Sequence, residues 1–155
     1  MHFRLSVKLM AMKLVNSLAP SIIEFAGIQR DNGQLWFAEI NKELPFIVKR
    51  IYYILDIPAE AEHAAHAHKK SDQLIIAMNG TFTVEVSDGI DSCTFKADNP
   101  GKAIFLPSGL WRTFRHFSKG AICLTLASDC YDADDFIRDY QEFLKWKRQQ
   151  TNSDA

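Results

Sequence analysis

At 155 residues, 47% hydrophobic and 24% charged, the chain has the size and composition of one globular domain. A formal net charge of −1 excludes a global field that would attract nucleic acid or an anionic membrane, but leaves room for a local basic pocket. Cys93, Cys123 and Cys130 form no CxxC pair, against a zinc site or disulfide framework, and no run reaches the ~18 apolar residues of a membrane span.

Residues 1–20 read as an N-terminal extension without the apolar core and small-residue cleavage site of a secretion signal, so the cytoplasm is the expected compartment; Met12 is an alternative start. Residues 21–150 read as a single domain with no repeat or linker. The turn-like Asp31-Asn32-Gly33 precedes a predicted strand at 35–40, and a run rich in Ile, Val and Tyr over 46–56 ends before Pro58. Segments 74–78 and 81–86 flank Asn79-Gly80, a hairpin signal because both residues tolerate positive φ. Further strands are predicted at 92–96, 102–106, 112–117 and 121–127, with Gly and Pro turns between the first three. Short strands with regular turn signals predict an all-β sandwich or barrel. From Asp132 the period changes. Phe136, Ile137, Tyr140, Phe143 and Leu144 recur at helical spacing, Asp132 is placed to cap the first turn, and Lys145, Lys147 and Arg148 sit near the end. A C-terminal helix packed on the barrel or on a partner subunit is expected.

His66-Ala67-His68 carries the chemistry. Alternate side chains on a strand share a face, so the two imidazoles point together and Ala67 points away. Gln73 follows five residues after His68, and Gly80 seven beyond that. This spacing resembles the first signature of the cupins, where HxH is followed by Glu and then Gly. Gly101, then Pro107-Ser108-Gly109, then Arg112 resembles the second signature, whose last place is a histidine. The resemblance implies a jelly-roll β-barrel. Its metal-binding members use two His, the Glu and the second-signature His. Here the Glu is the neutral Gln73 and the last His is Arg112, whose guanidinium has no lone pair to donate and repels a divalent cation. Two ligands facing an arginine make a poor metal site, so no metal and no cofactor are expected. An imidazole pair free of metal suits proton transfer near neutral pH. Histidines merely satisfied by hydrogen bonds are the plainer reading.

The segments VKRIYYILD (48–56), AHAHKKSDQLIIAMNGTFTVEVSDG (65–89), PSGLWRTF (107–114) and LASDCYDADDFIRDYQEF (126–143) closely resemble the dTDP-sugar 3,4-ketoisomerases. These cupin enzymes serve the synthesis of 3-amino-3,6-dideoxyhexoses for bacterial surface glycans such as O-antigens. The resemblance implies a metal-free, homodimeric isomerase that converts dTDP-4-keto-6-deoxy-D-glucose to a 3-keto sugar through an enediol. In that reading His68 is the principal base, His66 the proton shuttle, and Tyr52 a hydroxyl donor or orienting group on the strand face shared with Arg50 and Ile54. Arg50, Lys69 and Arg112 are candidates for the pyrophosphate or sugar oxygens, and as readily ordinary surface charges. Gln73 joins the binding set, and Trp111 stacks on the thymine or fills the barrel mouth.

The chain departs from the family where His often follows the tryptophan (here Arg112), and where an arginine or aromatic would stand in place of Asn32. His63 is also atypical. These positions bear on which face of C4 is reprotonated, and Arg112 favours the gluco-configured product over the galacto one. Two other classes stay open: a non-catalytic nucleotide-sugar-binding cupin, and a metal-dependent cupin isomerase or oxygenase.

Overall fold

The structure, a computed structural model, describes residues 19–153; the N-terminal extension expected at 1–20, with Met12, lies almost wholly outside the described residues. Strands β1 (Ser21–Glu24), β2 (Ala26–Arg30) and β3 (Gly33–Phe37) come first, then β4 (Arg50–Ile54) and β5 (His63–His68). Strands β6 (Gln73–Asn79), β7 (Phe82–Ser87), β8 (Ser92–Ala97), β9 (Lys102–Leu106), β10 (Trp111–Arg115) and β11 (Ile122–Ala127) follow, and a short β12 (Phe136–Ile137) precedes helix α1 (Tyr140–Ser153). Two five-stranded sheets form, β1-β9-β6-β11-β4 and β12-β5-β10-β7-β8, with β2-β3 a separate pair. The named pairings between strands are antiparallel.

Between the two sheets the inward residues divide by polarity along each strand. On β6 the inward series runs Gln73, Ile75, Ala77; on β4 it runs Arg50, Tyr52, Ile54; and on β10 it runs Arg112, Phe114. The apolar members close one end, where Phe82 stacks on Phe117 at 5.2 Å between ring centres and lies 6.0 Å from Phe114. The polar members collect at the other end. The apolar end carries the stability and the polar end the chemistry.

Three sequence expectations change here. Asn79-Gly80 does not close a hairpin: β6 pairs with β9 and β11, whereas β7 pairs with β10 and β8, so this turn carries the chain from one sheet to the other. Gly80 takes positive φ, +65°, but Asn79 does not, and a type I′ hairpin turn needs both. A Cβ at Gly80 would lie 2.4 Å from Ser118 Oγ and 2.9 Å from Ala121 Cα, so the crossing demands glycine. Secondly, β5 contains a bulge at Ala64, φ +58°, which resets the alternation. His63 is thereby opposite Phe114 and packs edge-on against Phe117 at 5.9 Å, at the apolar end.

The third change concerns the helix, which begins at Tyr140 rather than near Asp132. Asp132 caps a single 3-10 turn, Ala133–Asp135, by accepting from Asp134 N. Phe136 and Ile137 then pair with His68 and Ala67, because the free edge of β5 supplies backbone partners that a helix there would forgo. Asp139 Oδ1 caps α1, accepting from Glu142 N at 2.9 Å. Phe143 is fully buried with Ala67 and Ile137, and the helix covers the outer face of the second sheet.

Deleting the Phe82 ring leaves a cavity among Phe114 and Phe117. Phe82→Ala is expected to lose about 3–5 kcal/mol of unfolding free energy in urea titration. A loss below about 1 kcal/mol would mean that the apolar end is not packed as described.

Candidate active site

The polar end is organised around Arg112. Register sets it opposite His66 on β5 and Val86 on β7, and its side chain is fully buried. One guanidinium nitrogen donates to Gln73 Oε1 and the other to Leu110 O at 3.4 Å, while Nε has no partner. Gln73 Nε2 lies 3.0 Å from the Tyr52 hydroxyl and 3.0 Å from His68 Nε2. His66 Nε2 meets that same His68 nitrogen at 3.0 Å. On its other side His68 Nδ1 lies 2.7 Å from Asp135 Oδ2. Phe136, in register with His68, lays its ring against both imidazoles at 5.0 and 4.4 Å.

The structure thus brings His66, His68, Tyr52, Gln73 and Arg112 into one connected network. Arg50 borders it, its guanidinium carbon 5.3 Å from the Tyr52 ring centre and 5.7 Å from that of Tyr131, with a buried, unpartnered Nε. Lys69 does not join them, since its ammonium donates to Asp134 O at 2.7 Å on an exposed surface. Trp111 is in register with Ala67, so its side chain leaves on the outer face, 5.1 Å from Tyr140 and 5.7 Å from Phe143. Trp111 therefore does not line the space between the two sheets of this chain. Asn32 sits on the exposed β2–β3 turn, in a separate depression beside Arg30 and Gln34.

Sequence reasoning missed Asp135. DADDFIRDY read as the start of a helix with acids facing the dipole, and nothing in the spacing marks one acid of its four as buried. Its partner is 67 residues away.

The two histidines differ in a way the HxH pattern does not reveal. His68 has no exposed surface and both nitrogens are engaged, whereas His66 is partly exposed on the same inward face. His66 is therefore the more accessible of the two rings. Burial, then the Arg112 charge, then His68 push the His66 pKa down to about 2, with Arg138 and Arg50 adding to this. Burial and Arg112 also lower His68, to about 4, against the opposing pull of Asp135. Arg112 itself falls to about 10 through burial and stays charged at neutral pH. Burial works to raise the Asp135 carboxyl, but hydrogen bonds from His68 and the Lys70 N–H prevail and hold it below its usual range. The site therefore holds two neutral imidazoles between a fixed cation and a carboxylate.

This donor set does not fit a divalent cation. The place of a ligating carboxylate is taken by an amide locked to a guanidinium, and His68 Nε2 already faces two donors. Among the described residues no three His, Cys, Asp or Glu side chains are placed to hold a metal ion together.

Two antiparallel sheets enclosing an HxH pair define the chain as a cupin-type jelly-roll barrel with a C-terminal helix. Residues 19–148 match the model of the FdtA family, described as WxcM-like, C-terminal, and the chain belongs to that family. It is 36% identical over 125 residues, 81% of this chain and 90% of the relative, to a TDP-4-oxo-6-deoxy-alpha-D-glucose-3,4-oxoisomerase of Aneurinibacillus thermoaerophilus. A crystal structure of a 3,4-ketoisomerase from Helicobacter canadensis superposes with TM-score 0.82 at 37% identity, covering 85% of this chain and 99% of that one. The X-ray structure of a TDP-quinovose 3,4-ketoisomerase, WlaRB, from Campylobacter jejuni gives TM-score 0.77 at 38% identity, covering 81% and 97%.

The lowered imidazole pKa values fix a sign for acid stability. In the unfolded chain both histidines take up protons near 6.5, while in the fold they do so only toward 4 and 2. Their contribution is present in full above about pH 6.5 and is lost as pH falls below it. The urea midpoint is expected to decline from pH 6.5 toward pH 4, and less steeply in His68→Asn. An equally steep decline in that variant would show that His68 is not buried neutral.

Proposed function

We propose that this chain is a TDP-sugar 3,4-ketoisomerase that converts TDP-4-keto-6-deoxyglucose to the 3-keto isomer by proton transfer at the His66–His68 pair. The observation that carries the reading is the pair of neutral imidazoles, 3.0 Å apart, beside a buried guanidinium and a phenol. The relatives' names supply the substrate class.

The chemistry follows from the groups present. The C4 ketone acidifies the C3 proton. Its removal places negative charge on oxygen, giving an enediol(ate), and return of the proton at C4 leaves the ketone at C3. His66, the partly exposed imidazole, acts as the base, and His68 stands behind it. This reverses the roles expected from sequence. Tyr52 accepts a hydrogen bond from Gln73, leaving its own O–H to donate to a sugar oxygen and to pass a proton between the two oxygens. Arg112, fixed and charged, lowers the energy of the enediolate through space. Arg50, with a buried N–H to spare, takes a phosphate or sugar oxygen.

Several finer features belong to this proposal. Arg112 at the second-signature position supports delivery of the proton to give the gluco-configured product. The TDP-quinovose relative supports the same outcome, quinovose being 6-deoxyglucose. The enzyme works without a metal, in the cytoplasm, supplying a 3-keto sugar for transamination to a 3-amino-3,6-dideoxyhexose. It acts as a homodimer: Ile51, Tyr53 and Leu55 form an exposed apolar row from edge strand β4 into the loop beyond it, and a second copy would cover them.

Purified protein given TDP-4-keto-6-deoxyglucose is expected to yield the 3-keto sugar with gluco configuration at C4 by NMR, undiminished by chelator. His66→Asn should lower kcat by about 10²–10⁴-fold while TDP still binds. Turnover that chelator abolishes and iron or manganese restores would overturn the metal-free chemistry. TDP binding without turnover would make the protein a binding module. Light scattering should report a dimer, and Ile51→Glu with Tyr53→Lys a monomer; an unchanged dimer would place the interface elsewhere.

A further inference from the structure

Neutral histidine exists as two tautomers, and this site leaves room for only one at each ring. The Arg112 guanidinium can only donate, so the Gln73 atom facing it is the carbonyl oxygen. The Gln73 amide nitrogen therefore faces Tyr52 and His68 Nε2, each at 3.0 Å. An amide nitrogen only donates, so His68 Nε2 carries a lone pair and its proton sits on Nδ1. There it meets Asp135 Oδ2 at 2.7 Å, and a carboxylate only accepts. Reasoning from either end of the network gives the same assignment. His66 Nε2 lies 3.0 Å from the unprotonated His68 Nε2, so His66 must supply the hydrogen, which leaves its own Nδ1 as the lone pair.

We propose that Asp135 is a positioning residue for the isomerisation: by fixing His68 as the Nδ1–H tautomer, it holds His66 with Nδ1 as a free base. This rests on the ketoisomerase reading given above. Asp135 does not touch the sugar and acts through two rings. When His66 Nδ1 takes the C3 proton, the C–H electron pair passes into the enediolate and His66 becomes an imidazolium. Its Nε2–H is already directed at His68 Nε2, whose basicity the Asp135 carboxylate supports. The same Nδ1 proton then returns to C4, so nothing is consumed. The arrangement parallels the carboxylate behind the histidine of serine proteases, which sets tautomer and orientation without taking the proton. Four charged groups, Asp135 among them, act on His66 and His68. Arg112 and Arg50 oppose protonation of both rings, Arg138 opposes that of His66, and Asp135 favours that of His68.

Asp135 is also well held. Its Oδ1 accepts from Lys70 N at 2.6 Å, and its carbonyl accepts from Lys69 N at 2.8 Å. Asparagine at this position keeps the Lys70 contact through its oxygen and turns an NH₂ toward His68 Nδ1. That nitrogen must then accept, which moves the His68 proton to Nε2. Two donors, Gln73 Nε2 and His68 Nε2, now confront one another. His66 is forced to accept at Nε2 and to present N–H, not a lone pair, at Nδ1. Asp135→Asn therefore removes the base without removing either histidine.

The test uses the full chain with ¹⁵N-labelled histidine. The wild-type spectrum at pH 7 is expected to show His68 protonated at Nδ1 and His66 at Nε2, and Asp135→Asn to show both exchanged. In that variant kcat should fall by about 10²–10⁴-fold, with KM and TDP affinity within about threefold of wild type. A merely structural role would move KM and stability together and leave the tautomers alone. Wild-type His68 protonated at Nε2, or a folded Asp135→Asn that keeps kcat within about threefold, would overturn the proposal. Should the variant fail to fold, the wild-type tautomers decide by themselves. A protein with the stated tautomers and no turnover on the TDP-sugar would fail as a ketoisomerase while keeping the hydrogen-bond lock.

Discussion

A guanidinium with no exposed surface and no carboxylate in contact is an expensive thing to build into a small barrel. Taking such an ion out of water costs several kcal/mol even after relaxation. Arg112 receives only an amide oxygen, a distant backbone carbonyl and one unpartnered Nε in return. The rest of the polar end follows from that unbalanced charge. It dictates which way Gln73 faces, and through Gln73 it dictates where the His68 proton sits. It lowers the affinity of both imidazoles for protons and makes the position hostile to a metal cation. Positive charge beside neutral bases is what the proposed isomerisation, with its anionic intermediate, would call for. The stability lost there is made up at the apolar end, where Phe82, Phe114 and Phe117 pack.

Much of this was legible in the residues. The β-rich body and the face shared by His66 and His68 follow from period and turn chemistry. The departures at Gln73 and Arg112 from a metal-binding pattern can be read from identity alone, because a guanidinium donates and never ligates. The membership of Tyr52 in the site follows from strand alternation with Arg50.

What escaped was whatever depends on pairing partners. Asn79-Gly80 has the composition of a hairpin, yet only the sheet assignment of β6 and β7 shows that the turn crosses between layers. Phe136 and Ile137 fit helical spacing as well as they fit a two-residue strand; the free edge of β5 decides. Trp111 neighbours Arg112 in sequence and for that reason faces the opposite way. The unequal burial of His66 and His68 is likewise something a symmetrical HxH pattern cannot encode. Asp135 was hidden among similar acids for the same reason.

The bond between His68 and Asp135 spans 67 residues and joins the middle of the barrel to the segment just before the last helix. Closing so long a loop is entropically costly and slow relative to local pairing. During synthesis the two sheets can begin to pair while the polar end still lacks its carboxylate and the aromatic cover of Phe136. Those arrive together, on adjacent residues, once β12 docks on β5 and Phe143 anchors the helix behind it. Completion of the polar network thus depends on one of the last segments of the chain to be made, after all the strands of the first sheet.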